Sequence, residues 1–479
     1  MLIPISQREA LSFLIGKQWA DGEYNGNNAW LYNSTNGALN NNNKYNSYQV
    51  RVVLESDSYD NSALGNYELP LEVWYDVNRQ CRRRKGMKPS CLIFQYHLVV
   101  QLVEIVHQVG NCDYAMRVGI CFMITIPRLR EVLAADYGDR MVQTWYFNEL
   151  NWWLEHYHLH PDSYSCRVGK GGLRAVQQFQ EYVFEESEGY TVDCYVASLD
   201  LQSFFMSIDT EIAVRLMERF IMEVYRGPHR DLLLYLTRVI YQSLPQSHCV
   251  VKSHRRMWVG FPERKSLLGK SDGIGIPIGN ITSQMIANFL TTFYLNYLTS
   301  LGYKFIHYTD DTAFVFRDKE RFLEDVGRFE WFLWNELHLT LHPDKRYIQH
   351  YSKGICLLGY KLKRDRILPS DRIVHNVWWK VECSIRKAEG NMYYMLREKE
   401  HFVQVINSYM GLMKHTNSFR LRREILNRIA ASPWGEILDI DLKDYLKVLP
   451  KEKYTTRAYF TRRNKKRKKE RMELRSAYI

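Results

Sequence analysis

The stretch that decides the reading is KFIHYTDDTAFVF, Lys304 to Phe316. Apolar and aromatic residues alternate on both sides of Thr309-Asp310-Asp311. A period near two, rich in Val, Phe, Tyr and Thr, predicts two paired strands with a half-buried face, joined by a turn at Thr-Asp-Asp. Two adjacent carboxylates then sit at a hairpin tip. A solvated turn is one account of them, because Asp is a common turn former. A cation site is the other: like charges repel, and a hard divalent ion such as Mg²⁺, held by carboxylates together with substrate phosphates, offsets that repulsion. A third carboxylate and a place for phosphates would separate the two.

Working outward, DCYVASLDLQSFFMSID (Asp193 to Asp209) carries an apolar-rich strand into Asp200. One strand end with a single Asp and one with a pair would supply the three carboxylates that hold two ions about 4 Å apart in two-metal phosphoryl transfer. Between them, DGIGIPIGNITSQMIANF (Asp272 to Phe289) is a glycine-rich loop leading into a helix, able to bring backbone close to a base pair or a phosphate.

These residues carry a family resemblance. YTDD resembles the Y-x-D-D box of reverse transcriptases, and the order of single-Asp strand, glycine loop, Y-x-D-D and lysine-bearing strand is that of their palm. GIPIGNITSQ, DSYSCRVGKG (Asp162 to Gly171), REVLAADYGDRMVQ (Arg130 to Gln143) and LTLHPDKRYIQHYSKGICLLGY (Leu339 to Tyr360) resemble, in the same order, reverse transcriptases of diversity-generating retroelements. The resemblance covers residues 71 to 365, with a thumb implied to about 435. It implies an α+β, right-hand polymerase fold: an Asn-rich extension (1–70), fingers (71–190), a palm of antiparallel sheet plus helices (191–365), a helical thumb (366–435) and a basic C-terminal tail (436–479).

Carried over by position, the resemblance implies that Asp200, Asp310 and Asp311 are the metal ligands, for two Mg²⁺ ions or with Mn²⁺ as the alternative. Tyr308 would lie by the primer end. Lys345 would protonate the pyrophosphate leaving group, unless it is an ordinary surface lysine. Arg130 falls where the fingers present a cation to the incoming triphosphate, with Arg128, Arg167 and Lys170 as nearby candidates; the planar fork of arginine suits phosphate oxygens. Phe205 stands where a bulky ring under the sugar selects deoxynucleotides, the plainer account being a core residue beside Phe204. Ile278, before Gly279, replaces the usual glutamine near the incoming nucleotide, a departure that accompanies error-prone copying of template adenines. Gln284 closes the motif that contacts the nucleotide.

Composition sets the remaining bounds. The chain has 479 residues, 46% of them hydrophobic, enough for two or more cores. No apolar run of about 18 residues or signal peptide is present, which predicts a cytoplasmic protein, bacterial or phage-encoded by resemblance. Nine cysteines without a C-x-x-C pair are expected as reduced, mostly buried thiols. Of the net charge of +12, residues 451–479 carry twelve Lys/Arg against three Asp/Glu. That tail and RQCRRRKGMK (Arg79 to Lys88) could each track a phosphate backbone or be solvated charge. Ten asparagines lie between Asn25 and Asn46, followed by a strand-like run at Tyr48 to Leu54. This segment resembles the variable-protein repeats such retroelements diversify, or is a turn-rich structural or RNA-contacting extension. A helix is expected over Cys91 to Val109, and helical spacing dominates after Leu368. At that spacing Trp378, Trp379, Tyr393 and Tyr394 either fill the thumb core or stack on bases.

Three functions fit. The first is an RNA-directed DNA polymerase making error-prone cDNA from a dedicated RNA. The second is a related enzyme of antiviral defence that copies a structured noncoding RNA. The third is a catalytically idle RNA-binding scaffold. The active readings imply an RNA template or noncoding RNA, a cDNA product, deoxynucleoside triphosphates and an accessory protein or homo-oligomer, with no membrane.

Overall fold

The computed structural model describes residue 67 and residues 69–454 except 126, 127, 271 and 272, together with the backbone of short strands before residue 53. The basic run at 461–475 and the rest of the asparagine-rich segment lie outside the described residues. Within that segment β1 (Lys17–Asn25), β2 (Asn28–Asn33) and β3 (Ala38–Asn43) form an antiparallel meander, and Leu14–Ile15 pairs with Arg51–Val52. Of the strand expected at residues 48–54, Arg51–Val52 is described.

The protein is a mixed α+β chain grouped into two compact units, Met1–Ser163 with Asp200–Leu301 and Val326–Asp344, and Tyr164–Leu199 with Gly302–Asp325 and Lys345–Ile479. In the first, α1 (Leu71–Arg82), α2 (Pro89–Tyr96) and α3 (Leu98–Gly110) precede a hairpin of β4 (Ile120–Ile124) and β5 (Arg130–Ala134). The expected single helix over Cys91 to Val109 is two, bent by 88° at His97. No single described helix is long and apolar enough to cross a membrane. Helix α4 (Tyr137–Tyr157) starts at Asp136, whose carboxylate accepts from the Gly138 N–H at 2.9 Å.

Helix α5 (Gly172–Glu186), of the second unit, covers one face of a sheet. That sheet has four strands in the order β8–β9–β6–β10, where β6 is Tyr195–Leu201, β8 Lys304–Tyr308, β9 Asp311–Phe316 and β10 Leu341–His350. The sequence predicts a half-buried hairpin here, but both faces are covered. Ile306, Ala313 and Val315 pack with Val176 and Phe179 of α5. Phe314 and Phe316 meet Phe322 at 5.2 and 3.9 Å between ring centroids. The near-continuous apolar run is the consequence.

The remaining helices follow the same logic. α6 (Thr210–Val224) is capped by Asp209, which accepts from the N–H groups of Glu211 and Ile212. α7 (Arg230–Tyr241) packs beside it, and β7 (Val250–Val251) adds to β4 in parallel. α8 (Ile281–Ser300) is buried around most of its circumference, which explains its lack of a polar face. Helix α9 (Lys319–Leu337) leads into β10.

C-terminal to the sheet, α10 (Asp371–Ala388), α11 (Met392–Met413) and α12 (Phe419–Ala430) share a core of Val377, Val381, Ile406, Met410, Ile425 and Trp434. Trp378 and Tyr394 pack against it, while Trp379 and Tyr393 are 60% and 74% exposed. All nine cysteines are free thiols, but only Cys91, Cys121 and Cys194 are buried, and Cys166 and Cys356 are exposed. The expectation of mostly buried thiols is corrected: Cys81 and Cys383 sit at the margins of helix faces, and Cys112, Cys166, Cys249 and Cys356 on loops or a short strand, which leaves them half-buried or exposed.

Candidate active site

Strands β8 and β9 pair from Lys304↔Val315 to Tyr308↔Asp311, so the turn is Thr309-Asp310 and Asp311 is the first strand residue. Thr309 has φ +62°, a left-handed conformation unfavourable for a β-branched side chain. Two-residue hairpins need such a residue to match the right-handed twist of their strands, and it is usually Gly, Asn or Asp. Behind the tip, buried His307 shares a 2.9 Å hydrogen bond between its Nδ1 and the Thr312 hydroxyl, its cross-strand partner. The tip is thereby fixed with both aspartates half-exposed.

Strand β6 lies next to β9 in the same sheet and carries Asp200, 6% exposed, one residue before its end. One carboxylate oxygen from each of Asp200, Asp310 and Asp311 lies within 4.8 Å of the others. Strand pairing explains how residues 110 positions apart in sequence reach one place: adjacent strands are about 4.8 Å apart, and the carboxylates sit at neighbouring strand ends. Three hard anionic oxygens at this spacing suit Mg²⁺ or Mn²⁺ and have no soft donor that would favour zinc.

After Asp200 the chain turns through Ser203 (φ +50°) into a helical turn, Phe204–Ser207. Phe204 is buried and Phe205 is half-exposed, their rings 5.4 Å apart. The glycine loop is bonded to this turn: the Ile276 N–H donates to the Phe205 carbonyl at 2.8 Å, and the Gly275 N–H to the Ile208 carbonyl at 2.7 Å. Gly275 has φ +90°, and a Cβ there would meet Leu267 Cδ1 at 2.7 Å and the Met206 carbonyl oxygen at 3.2 Å. Gly279 is exposed with φ +108°. Ile278 is half-buried against Cys121, Leu133, Met206 and Leu267, and Gln284 is exposed on the first turn of α8.

The other sequence-selected residues fall as follows. Arg128 and Arg130 are exposed at the β4–β5 turn, where Arg130 opposes Ile124. Arg167 and Lys170 are half-buried in the loop before α5, and the Lys170 ammonium lies 4.8 Å from the centroid of the Tyr164 ring. Tyr308 is half-buried, and burial raises its phenol above the usual range. Lys345 is exposed on β10. The residues gathered into one carboxylate cluster are the three aspartates.

Two of the buried carboxylates that went unread in the sequence lie in the REVLAADYGDRMVQ block. Glu131, next to Arg130 and 2% exposed, accepts hydrogen bonds from Trp258 Nε1 (2.7 Å), the Ser266 hydroxyl (2.6 Å) and the Leu267 N–H (2.6 Å). Asp139 accepts from the Tyr114 hydroxyl (2.7 Å) and the Arg117 N–H (3.1 Å). Burial pushes Asp139 up to about 6 against the lowering effect of those bonds. The signal for both was an acidic residue at an inward position of the REVLAADYGDRMVQ block.

No family model matches the chain, and no curated protein matches it. Among solved structures it is similar to telomerase from Candida albicans in complex with a TWJ fragment of telomeric RNA, at 9% identity and a TM-score of 0.39, over 67% of this chain and 59% of that one. It is also similar to apo telomerase from Candida tropicalis, at 10% identity and a TM-score of 0.42, over 67% of this chain and 57% of that one. The chain thus spans less than two thirds of the length of either telomerase chain.

Proposed function

We propose that the chain is an RNA-directed DNA polymerase that makes cDNA from a dedicated RNA by metal-assisted phosphoryl transfer. The observation that carries this reading is the cluster of Asp200, Asp310 and Asp311 at neighbouring ends of one sheet. Those three side chains would hold Mg²⁺, or Mn²⁺ in its place. When bound, the ions supply charge stabilisation at the transferring phosphate and a more acidic attacking hydroxyl.

The chain's own residues have separable tasks under this reading. Phe205, half-exposed beyond buried Phe204, would exclude a 2′-hydroxyl and select deoxynucleotides. The backbone at Gly279, with Gln284 one helical turn on, would lie against the incoming nucleotide, and Tyr308 beside the primer end. Arg130, with Arg128, Arg167 and Lys170, would pair with triphosphate oxygens, and Lys345 would give a proton to the departing pyrophosphate. Ile278, aliphatic and packed on Leu133 and Met206, offers no polar contact to check base-pair geometry. It supports error-prone copying of the kind found in diversity-generating retroelements, and Ile278→Gln is expected to lower misincorporation opposite template adenines.

The experiment is to express the chain, isolate it, and sequence the RNA and DNA that copurify, beside Asp310→Asn, Asp311→Asn. A cDNA that depends on the aspartates and is substituted at template adenines supports mutagenic diversification. A faithful or repetitive cDNA from a compact noncoding RNA replaces it with the antiviral-defence reading. RNA retained equally by both proteins without cDNA overturns the polymerase reading in favour of a binding scaffold.

A further inference from the structure

The segment QSHCVVKSHRRMWVGFPERKSLLGK, residues 246–270, joins α7 to the glycine loop and carries six Lys/Arg against one Glu. Its inner side is fixed to the β4–β5 hairpin. The Val250 N–H donates to the Gly119 carbonyl at 2.9 Å, the Lys252 N–H to the Cys121 carbonyl at 2.8 Å, and the Met123 N–H to the Ser253 hydroxyl at 2.9 Å. Glu131 then collects the Trp258 indole, the Ser266 hydroxyl and the Leu267 N–H on its two oxygens. A buried carboxylate with that many donors is fully compensated and holds its donors in place.

The outer side is cationic. Lys252, Arg255, Arg256, Arg264 and Lys265 are exposed and Lys270 is half-exposed; none takes part in an ion pair among the described residues. Like charges so close together oppose folding, so they contribute nothing to the stability of the lobe. Its aromatic rings point elsewhere: Trp258 and Phe261 are half-buried, and the Trp258 N–H is engaged by Glu131. Fixed cations without exposed rings suit phosphates, whereas unpaired bases need stacking faces.

We propose that this lobe binds a base-paired segment of RNA through its phosphates. The choice of RNA rests on the polymerase reading; the lobe itself is argued from charge and anchoring. A-form duplexes are recognised mainly through shape, phosphates and the 2′-hydroxyls of a wide, shallow minor groove, which surface cations can reach.

The test is fluorescence anisotropy with an RNA hairpin whose stem has about 16 base pairs, a DNA hairpin of the same sequence and an unpaired RNA. The lobe variant combines Lys252→Gln, Arg255→Gln, Arg256→Gln and Lys265→Gln; a control combines Arg215→Gln, Arg219→Gln, Arg230→Gln and Lys443→Gln, exposed cations outside this segment. For the RNA hairpin the lobe variant is expected to lose at least about tenfold in affinity at 0.15 M salt, with the slope of log affinity against log salt reduced by about three to four. The thermal midpoint should not fall, since all four side chains are exposed and their mutual repulsion is relieved. An unchanged slope, or an equal loss in the control, overturns the proposal. An equal loss on the DNA hairpin overturns the assignment to RNA, and tighter binding of unpaired RNA overturns the assignment to a duplex. Extension of oligo(dT) on poly(rA) by the unaltered protein is measured separately: its absence removes the polymerase reading and leaves the binding comparison to be judged by itself.

Discussion

Tyr308 and Asp311 face each other as the last paired residues of the β8–β9 hairpin, which leaves Thr309 and Asp310 to make the whole turn. The two aspartates therefore have different mechanical standing. Asp311 is held by the ladder, and Asp310 by the conformation of the threonine before it.

That conformation has a measurable cost. A left-handed β-branched residue loses about 1–2 kcal/mol, and glycine removes the strain while giving back part of it as backbone entropy. Thr309→Gly is expected to raise unfolding stability by about 0.5–1 kcal/mol. Thr309→Pro fixes φ near −65°, incompatible with +62°, and is expected to lose about 3 kcal/mol or more in urea denaturation. Equal stabilities for the two variants would overturn this account of the turn.

Three carboxylates within 4.8 Å of one another repel, so the fold should respond to a divalent ion without any nucleic acid. The thermal midpoint is expected to rise with added Mg²⁺ or Mn²⁺, the stabilisation reaching about 2.7 kcal/mol at one hundred times the dissociation constant. Asp311→Asn should raise the midpoint in chelator and abolish the increment from metal. A metal increment that survives in the variant would place the ion elsewhere.

Phe204 and Phe205 separate packing from selection. Phe204→Ala empties a buried site and is expected to cost about 3–5 kcal/mol. Phe205→Ala should cost far less, because its ring is half-exposed, yet lower the preference for deoxynucleotides over ribonucleotides about tenfold or more. Single-nucleotide incorporation read beside thermal melting resolves the two, and unchanged sugar preference in Phe205→Ala would remove the gate.

Asp139 sets a pH dependence whose sign is opposite to that of a salt-bridged carboxylate. Its folded value, about 6, lies above the ordinary carboxylate range, so the folded state holds the proton more tightly than the unfolded chain does. The associated stability is complete below pH of about 4 and is lost as pH rises through about 6, on the order of 3 kcal/mol. Asp139→Asn keeps an acceptor for Tyr114 and Arg117 and cannot ionise. The variant should gain on the unaltered protein between pH 4 and 7, and a constant difference between their unfolding midpoints would refute the assignment.

What could be read from sequence was what is local. The hairpin, the strand into Asp200 and the glycine loop each carry their pattern within a dozen residues, and each is present. The gathering of Asp200 with Asp310 and Asp311 depends on which strands pair, and only the ordered resemblance spoke to that. The break at His97 was missed because no Pro or Gly marks it. Trp378 and Trp379 could not be told apart from their spacing to distant residues, since neighbours on a helix point about 100° apart and only packing shows which side faces the core. Glu131 was passed over for a related reason: a buried, satisfied carboxylate looks in sequence like any surface glutamate.

Glu131 has one more consequence. Because several donors from residues 258–268 converge on a single side chain, this stretch is riveted at one point, whereas residues 250–253 before it are stitched to the β4–β5 hairpin. A stitched segment frays from its ends; a riveted one comes away as a block. Amide exchange across residues 254–268 should accordingly proceed at a common opening rate, and Glu131→Gln should accelerate that block together while residues 250–252 keep their own rate.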